Sequence, residues 1–315
     1  VRHLFFIDPI EKLNIKKDSS LYLALSAKNR GESVYFLFEK DLAISNLEFQ
    51  KMTVYEFTGT WLDDGPYLKS LQLTENKELV LTQTDIIHMR LDPPFDSRYL
   101  RNLWLLDFLK QKVDLKVVNC PRGIMNFHEK LSAYLLKDSI PSFVGIDVEK
   151  AVQFMNQRTE TEFVLKPLDL FGGQGVEKVA RAQLKDRFIS KLNEIKAPII
   201  VQPYQKSVEE GELRVIAFKG KILGSILKKP KSGDFISNIA AGGSFVEAHL
   251  NEHLKNKIES LSDDLFNQGL DLIAYDVLGE TITEINLTCP GLLVEVAKAT
   301  KLNLAQMILD SYLKS

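Results

Sequence analysis

A chain of 315 residues and 35.8 kDa exceeds what one hydrophobic core organises, so two or three packed units are expected. With 45% hydrophobic and 26% charged residues, and only 17 glycines and 11 prolines, the composition excludes a disordered or low-complexity chain. Forty basic against 42 acidic side chains leave a net charge of -2, which supplies no global positive field for a nucleic-acid backbone.

The opening VRHLFFIDPI is an apolar run that Asp8 and Pro9 end too soon for a signal-peptide core or a membrane span. HLFFID (3–8) reads as a buried strand, DSSLYLALSAKNRG (18–31) as a helix with Asp18 as N-cap and Gly31 as stop, and SVYFLF (33–38) as a second strand. DIIHMR (85–90), a helix around residues 98–112 and KVVN (116–119) repeat that strand, helix, strand order. Residues 1–121 therefore read as an α/β domain with a largely parallel sheet.

Past Pro121 the pattern changes to helices at 128–138 and 148–157, strand FVLKP (163–167), a glycine loop, a helix near 184–195 and strand IIVQPY (199–204). Residues 122–200 read as a smaller α+β unit. From 201 to 315 come ELRVIAF, KILGSIL, LIAYDVL and TITEINL as strands, an amphipathic helix at 250–269 and a closing helix at 304–314, an antiparallel sheet flanked by helices. No run reaches the roughly 20 apolar residues of a spanning helix. Cys120 and Cys289 lack any CxxC or Cys/His spacing, which points to reduced thiols and away from zinc. A cytoplasmic location is expected.

Three segments carry chemistry. In LKPLDLFGGQGV (165–176), Lys166 ends a strand before a loop with Gly172, Gly173 and Gly175, whose backbone amides could approach phosphate oxygens. No GK[ST] follows, so this is no Walker A loop, and taken alone three glycines are equally a plain turn. In LIAYDVLGETITEINLTCPG (272–291), Asp276, Glu284 and Asn286 fall in strands, with Glu284 and Asn286 on one face. Such oxygen donors suit Mg2+, although a half-solvated polar face has the same pattern. For Asp276 and Glu284 to share a cation, the hairpin between them needs a bulge or an odd connection, because a plain two-residue turn at Gly279 and Glu280 pairs 276 with 283. Finally come Arg90 in HMRLDPPFD, Lys130 in FHEKL and Arg214 in GELRVIAF, each by itself more often a surface cation; an arginine inside an apolar strand must find an anionic partner or reach solvent.

The order NIKKDSS, MRLDPPFD, NFHEKL, LKPLDLFGGQG, VQPY, GELRV, NIAAGG and TEINLTCPG resembles that of bacterial glutathione synthetases over nearly the whole chain. The resemblance implies an ATP-grasp fold with an N-terminal pre-ATP-grasp domain (1–121), a central lid domain (122–200) and a C-terminal domain with the metal site (201–315). It implies ATP and Mg2+, with Mn2+ as an alternative ion, in an ATP-dependent ligase that joins γ-glutamylcysteine to glycine. Lys130 and Lys166 would hold phosphates, Gly172, Gly173 and Gly175 a flap, Gln202, Pro203 and Tyr204 the adenine, and Glu212 the ribose. Mg2+ would sit on Asp276, Glu284 and Asn286, Arg214 beside the reacting centre, and Asp18, Ser20, Arg90, Asn238, Gly242 and Gly243 around the peptide. A homo-oligomer, dimer or tetramer, is implied as well.

Two positions depart from that pattern: Ile236 and Val294 stand where relatives commonly carry arginine, and Lys228, Lys229 and Lys231 are the nearest replacement charge. The alternatives are another carboxylate-amine ligase that resembles the glutamate-adding enzymes and a nucleotide-binding module without catalysis. An oxidoreductase is disfavoured by the missing dinucleotide fingerprint.

Overall fold

The structure is a computed structural model that describes the chain except residues 48–49, 64, 232–238, 240–241, 314–315 and the side chain of Leu313. The N-terminal part runs β1 (Arg2–Ile7), α1 (Ser19–Asn29), β2 (Ser33–Leu37), β3 (Lys51–Trp61), β4 (Leu68–Val80), β5 (Asp85–Arg90), α2 (Ser97–Val113) and β6 (Lys116–Val118). These strands form one sheet in the order β4-β3-β2-β1-β5-β6, in which β2, β1, β5 and β6 run parallel. Asp18 caps α1 by accepting from the Ser20 and Leu21 amides, and Gly31 leaves the helix at φ 83°. The β3/β4 hairpin, absent from the expectation above, extends the sheet edge; most of β4 is exposed.

Next come α3 (Pro121–Asn126), α4 (Glu129–Tyr134), β7 (Phe143–Gly145), α5 (Val148–Asn156), β8 (Glu162–Pro167), β9 (Glu177–Ala180), α6 (Leu184–Ile195) and β10 (Ile199–Pro203). The strands make an antiparallel sheet, β7-β10-β8-β9, with a core of its own from Ala151, Phe163, Leu165, Phe188, Ile199 and Val201. The expected helix over 128–138 stops at Tyr134.

The last part comprises β11 (Glu212–Phe218), β12 (Lys221–Lys229), β13 (Ser244–Glu247), α7 (Glu252–Asn267), β14 (Leu272–Leu278), β15 (Thr281–Asn286), α8 (Leu293–Thr300) and α9 (Leu304–Leu313). Its antiparallel sheet has the order β13-β12-β11-β14-β15. Alternation along each strand sends side chains into two different clusters. Ile216, Phe218, Leu272 and Ala274 join α1, α8 and α9, whereas Val215, Ala217, Ile273 and Tyr275 join α2 and α7. Both clusters take residues from the N-terminal sheet too, Phe5 and Ile7 on one side and Leu4 and Phe6 on the other. At about 1.5–3 kcal/mol per fully buried large side chain, this shared burial is what welds the first and last parts together.

A polar stitch reinforces the weld. Asn119, buried and left-handed at φ 56°, donates Nδ2 to the Leu272 and Leu287 carbonyls at 2.7 Å each and accepts the Leu272 amide at 2.8 Å. Among the described residues no helix is long and apolar enough to cross a membrane.

Candidate active site

The hairpin of β14 and β15 settles the geometry. Leu278 pairs with Thr281 and Val277 with Ile282, so the turn is the two-residue Gly279–Glu280 type, yet Asp276 pairs with Glu284 because Thr283 is extruded as a bulge. Thr283 Oγ1 donates to the Asp276 carbonyl at 3.1 Å. The required bulge is present, and it puts Asp276, Glu284 and Asn286 on one face. Ile285, between the last two, packs into the core.

Arg214 is the cross-strand partner of Asp276, and it grips that carboxylate with both arms, Nε to Oδ1 at 3.0 Å and Nη2 to Oδ2 at 2.9 Å. Lys228 Nζ reaches Asp276 Oδ1 at 2.7 Å and Glu212 at 2.6 Å. Asn286 Nδ2 donates to Asp276 Oδ2 at 3.1 Å. Burial works against ionisation of Asp276, but Arg214 and Lys228 outweigh it and hold its carboxyl below the ordinary carboxylate range. On the same terms burial depresses Lys228, and Asp276 with Glu212 more than restores it.

Around this cluster lies a cavity of about 440 Å3, open between the central and C-terminal sheets. Lys130, Lys166, Gly172, Gly173, Gln202, Pro203, Tyr204, Glu212, Arg214, Asp276, Glu284 and Asn286 all line it, so twelve of the candidate residues meet at one place. Lys130 Nζ pairs with Glu284 at 3.1 Å and donates to the Leu170 carbonyl at 2.7 Å. Lys166 is directly paired across the sheet with Ile200, and its ammonium has no hydrogen-bonding partner among the described residues; burial lowers its pKa, with Glu284 opposing. The three loop glycines, Gly172, Gly173 and Gly175, have φ of 62°, 79° and 68°, which favours glycine at each. Gly175 lies off the cavity, where its carbonyl accepts from buried Lys191 at 2.9 Å.

Two family models cover the chain, the prokaryotic glutathione synthetase N-terminal domain over residues 1–125 and the prokaryotic glutathione synthetase ATP-grasp domain over residues 129–301. The chain belongs to the prokaryotic glutathione synthetase family. Relatives include the glutathione synthetases of Nitrosomonas europaea (30% identity, 98% of this chain and 96% of the relative) and of Prochlorococcus marinus (30%, covering 100% and 99%). In fold the chain is similar to D-cycloserine synthetase DcsG, with a TM-score of 0.65 at 15% identity over 98% of this chain and 99% of that one. It is also similar to a RimK domain ATP-grasp protein from Sphaerobacter thermophilus, with a TM-score of 0.60 at 14% identity over 99% and 100%. The fold is ATP-grasp.

The other candidate residues fall elsewhere. Asp18 is spent on capping α1, Ser20 Oγ accepts from Arg90 Nε at 3.0 Å, and Arg90 Nη2 donates to the Pro290 carbonyl at 2.9 Å. Arg90 Nη1 is buried without a partner, an orphan donor two residues along the chain from Asp92, which lines the cavity with Pro93 and Cys289. Gly242 and Gly243 do not line the cavity, and Asn238 and Ile236 lie outside the described residues. Val294 is fully buried in the core on α8, while Gly291 and Leu292 beside it face the cavity. Lys228 and Lys229 belong to strand β12 and not to a loop, and Lys228 is buried and paired, so it is unavailable as a flexible replacement charge.

Glu129 escaped sequence reasoning. Its Oε1 accepts from the Leu287 amide at 2.9 Å, the Thr288 amide at 3.0 Å and the Thr288 hydroxyl at 2.7 Å, which pins the strand end after Asn286 to the helix carrying Lys130. The only signal was its place beside Lys130 in HEKL. The donor set of Asp276, Glu284 and Asn286, two carboxylates and an amide whose oxygen has no partner among the described residues, fits a hard divalent cation.

Proposed function

We propose that this chain is a glutathione synthetase that binds ATP in the cavity, activates the C-terminal carboxylate of γ-glutamylcysteine and joins it to glycine. The observation that carries this reading is the convergence of Lys130, Lys166, Arg214, Asp276, Glu284 and Asn286 on one cavity, in a chain that belongs to the family along its whole length. A carboxylate is a poor acyl donor, so its oxygen takes the γ-phosphoryl group and ADP departs. The glycine amine then attacks the acyl carbon, loses its proton, and expels phosphate with the carboxylate oxygen.

Phosphoryl transfer needs positioning and charge neutralisation more than covalent help. Lys130 and Lys166 take phosphate oxygens, Lys166 because its ammonium is uncommitted. Arg214 sits where it can offset charge at the transferring group. Asp276, Glu284 and Asn286 hold Mg2+, with Mn2+ as a substitute, and the cation would withdraw charge from the phosphates. Gln202, Pro203 and Tyr204 flank adenine and Glu212 the ribose. The acylphosphate hydrolyses in water, which gives the glycine loop at 171–175 the task of closing; most of the other candidate segment, 229–243, lies outside the described residues. Domain boundaries at 121/122 and 200/201, a cytoplasmic location and a homo-oligomer complete the proposal, with Asp18, Ser20, Arg90, Asn238, Gly242 and Gly243 around the peptide.

One observation supports a second reading. With Val294 turned into the core, the acceptor end carries no guanidinium from that position, so a ligase with a different amine acceptor is the alternative. ADP release from purified protein with ATP and Mg2+ tests both. Release that requires γ-glutamylcysteine and glycine together supports glutathione synthesis; release with γ-glutamylcysteine and another amine, but not glycine, supports the altered acceptor.

A further inference from the structure

Asp276 has no free lone pair. A carboxylate offers about four acceptor positions, and Arg214 Nε, Arg214 Nη2, Lys228 Nζ and Asn286 Nδ2 occupy four, all at 2.7 to 3.1 Å. Lys228 is itself buried, and its second partner, Glu212, is its cross-strand neighbour on β11, on the same sheet face as Arg214, at 2.6 Å. Glu284 is likewise covered on one oxygen by Lys130. Asp276, Glu212 and Glu284 are therefore paired with three protein cations, Arg214, Lys228 and Lys130, while the Lys166 ammonium has no such pairing among the described residues.

Adding a bare divalent cation to this arrangement would strand Lys228 and Arg214 beside new positive charge in a desolvated place, which is strongly unfavourable. Adding the cation together with a nucleotide triphosphate is different, because that pair still carries net negative charge. Its phosphate oxygens give the displaced ammonium and guanidinium new partners. We infer that Lys228 is a positioning residue that excludes the divalent cation from Asp276 until nucleotide phosphates arrive, so that metal and nucleotide bind with strong positive coupling. This rests on the metal site proposed above. The inference concerns Lys228 more than Arg214, because the one Lys228 ammonium contacts both Asp276, a proposed metal ligand, and Glu212, the residue proposed to meet the ribose.

Titration of Mn2+ followed by the paramagnetic resonance of the free ion, with and without a non-hydrolysable ATP analogue, reads this without catalysis. In the wild-type protein, binding of Mn2+ alone is expected to be weaker than binding with the analogue by a factor within the usual coupling range of about 5- to 150-fold. Lys228→Met and Lys228→Gln are expected to bind Mn2+ alone at least about tenfold tighter than wild type, with reduced coupling to the analogue. Adding Asp276→Asn to either should abolish that gain. Lys228→Arg, which keeps the charge, should retain the exclusion. Two uncharged variants are used so that poor folding of one leaves the other, and a thermal melt checks each. Equal Mn2+ affinity in wild type and both uncharged variants, with Asp276→Asn still losing analogue-dependent Mn2+, overturns the inference and leaves the metal site standing. Analogue-dependent Mn2+ binding that survives Asp276→Asn removes the metal site and the inference with it.

Discussion

Lys166 and Arg214 occupy opposite electrostatic situations within one cavity. Lys166 has no protein partner among the described residues and its ammonium is disfavoured by burial, so an arriving phosphate relieves it. Lys166→Met is therefore expected to weaken ATP binding while urea unfolding stays cooperative, and a titration calorimeter will show it; unchanged affinity would reassign the residue. Arg214 is held in a bidentate pair, so its removal frees a buried carboxylate as well as an active-site charge. Arg214→Ala is expected to lower turnover by about 100- to 1000-fold with a much smaller effect on ATP affinity, measured by steady-state kinetics beside nucleotide binding. Both side chains were legible in the sequence, because a lysine before a glycine loop and an arginine inside an apolar strand each demand an explanation. Glu129 was not, since a glutamate at the start of a helix is ordinary until the amides of residues 287 and 288 are seen to converge on it.

Elements were legible to the extent that their hydrophobic pattern was local. The helix over 184–195 and the strands around Lys166 and Gln202 lie where periodicity puts them, and the bulge at Thr283 follows from asking how Asp276 and Glu284 could share a face. The β3/β4 hairpin was missed because β4 is mostly exposed, with no alternating apolar face for the eye to find. Asn119 was missed for a different reason: its three hydrogen bonds reach across more than 150 residues, and nothing local announces them. They tie the end of β6 to the start of β14 and to the residue that follows β15. Asn119→Ala should cost about 3 kcal/mol, from buried groups left unsatisfied and a left-handed backbone that alanine dislikes, with a lower urea midpoint as the readout.

At the scale of the molecule, the first and last parts share two cores while the middle part keeps its own, which leaves the cavity at the seam between the central sheet and the rest. That sharing could not be read from sequence, because apolar strands do not say which sheet they will face. Deep in the shared region, His3 Nδ1 meets His88 Nε2 at 2.9 Å, and His3 Nε2 meets Glu32 at 3.0 Å, with Tyr312 of α9 edge-on to both rings. Burial first, with the Arg30 charge, lowers His3 from 6.5 to about 4, and burial with His3 pushes His88 down as well. Both rings are neutral in the folded protein at neutral pH, whereas the unfolded chain takes up protons below about 6.5. The stability they contribute is complete above that pH and is lost as pH falls toward about 4, on the order of 3 kcal/mol for His3. Urea unfolding at pH 7 and pH 5 should show the drop, and a His3→Gln/His88→Gln double variant should flatten it.

The central claim is that ATP activates a carboxylate of γ-glutamylcysteine in this cavity for attack by glycine. The most direct measurement is the fate of 18O placed in the C-terminal carboxylate of γ-glutamylcysteine, followed by mass spectrometry of the released phosphate in the presence of ATP, Mg2+ and glycine. Activation as an acylphosphate predicts glutathione as product and one 18O in each phosphate formed. Phosphate without label, or glutathione failing to appear, would contradict the account.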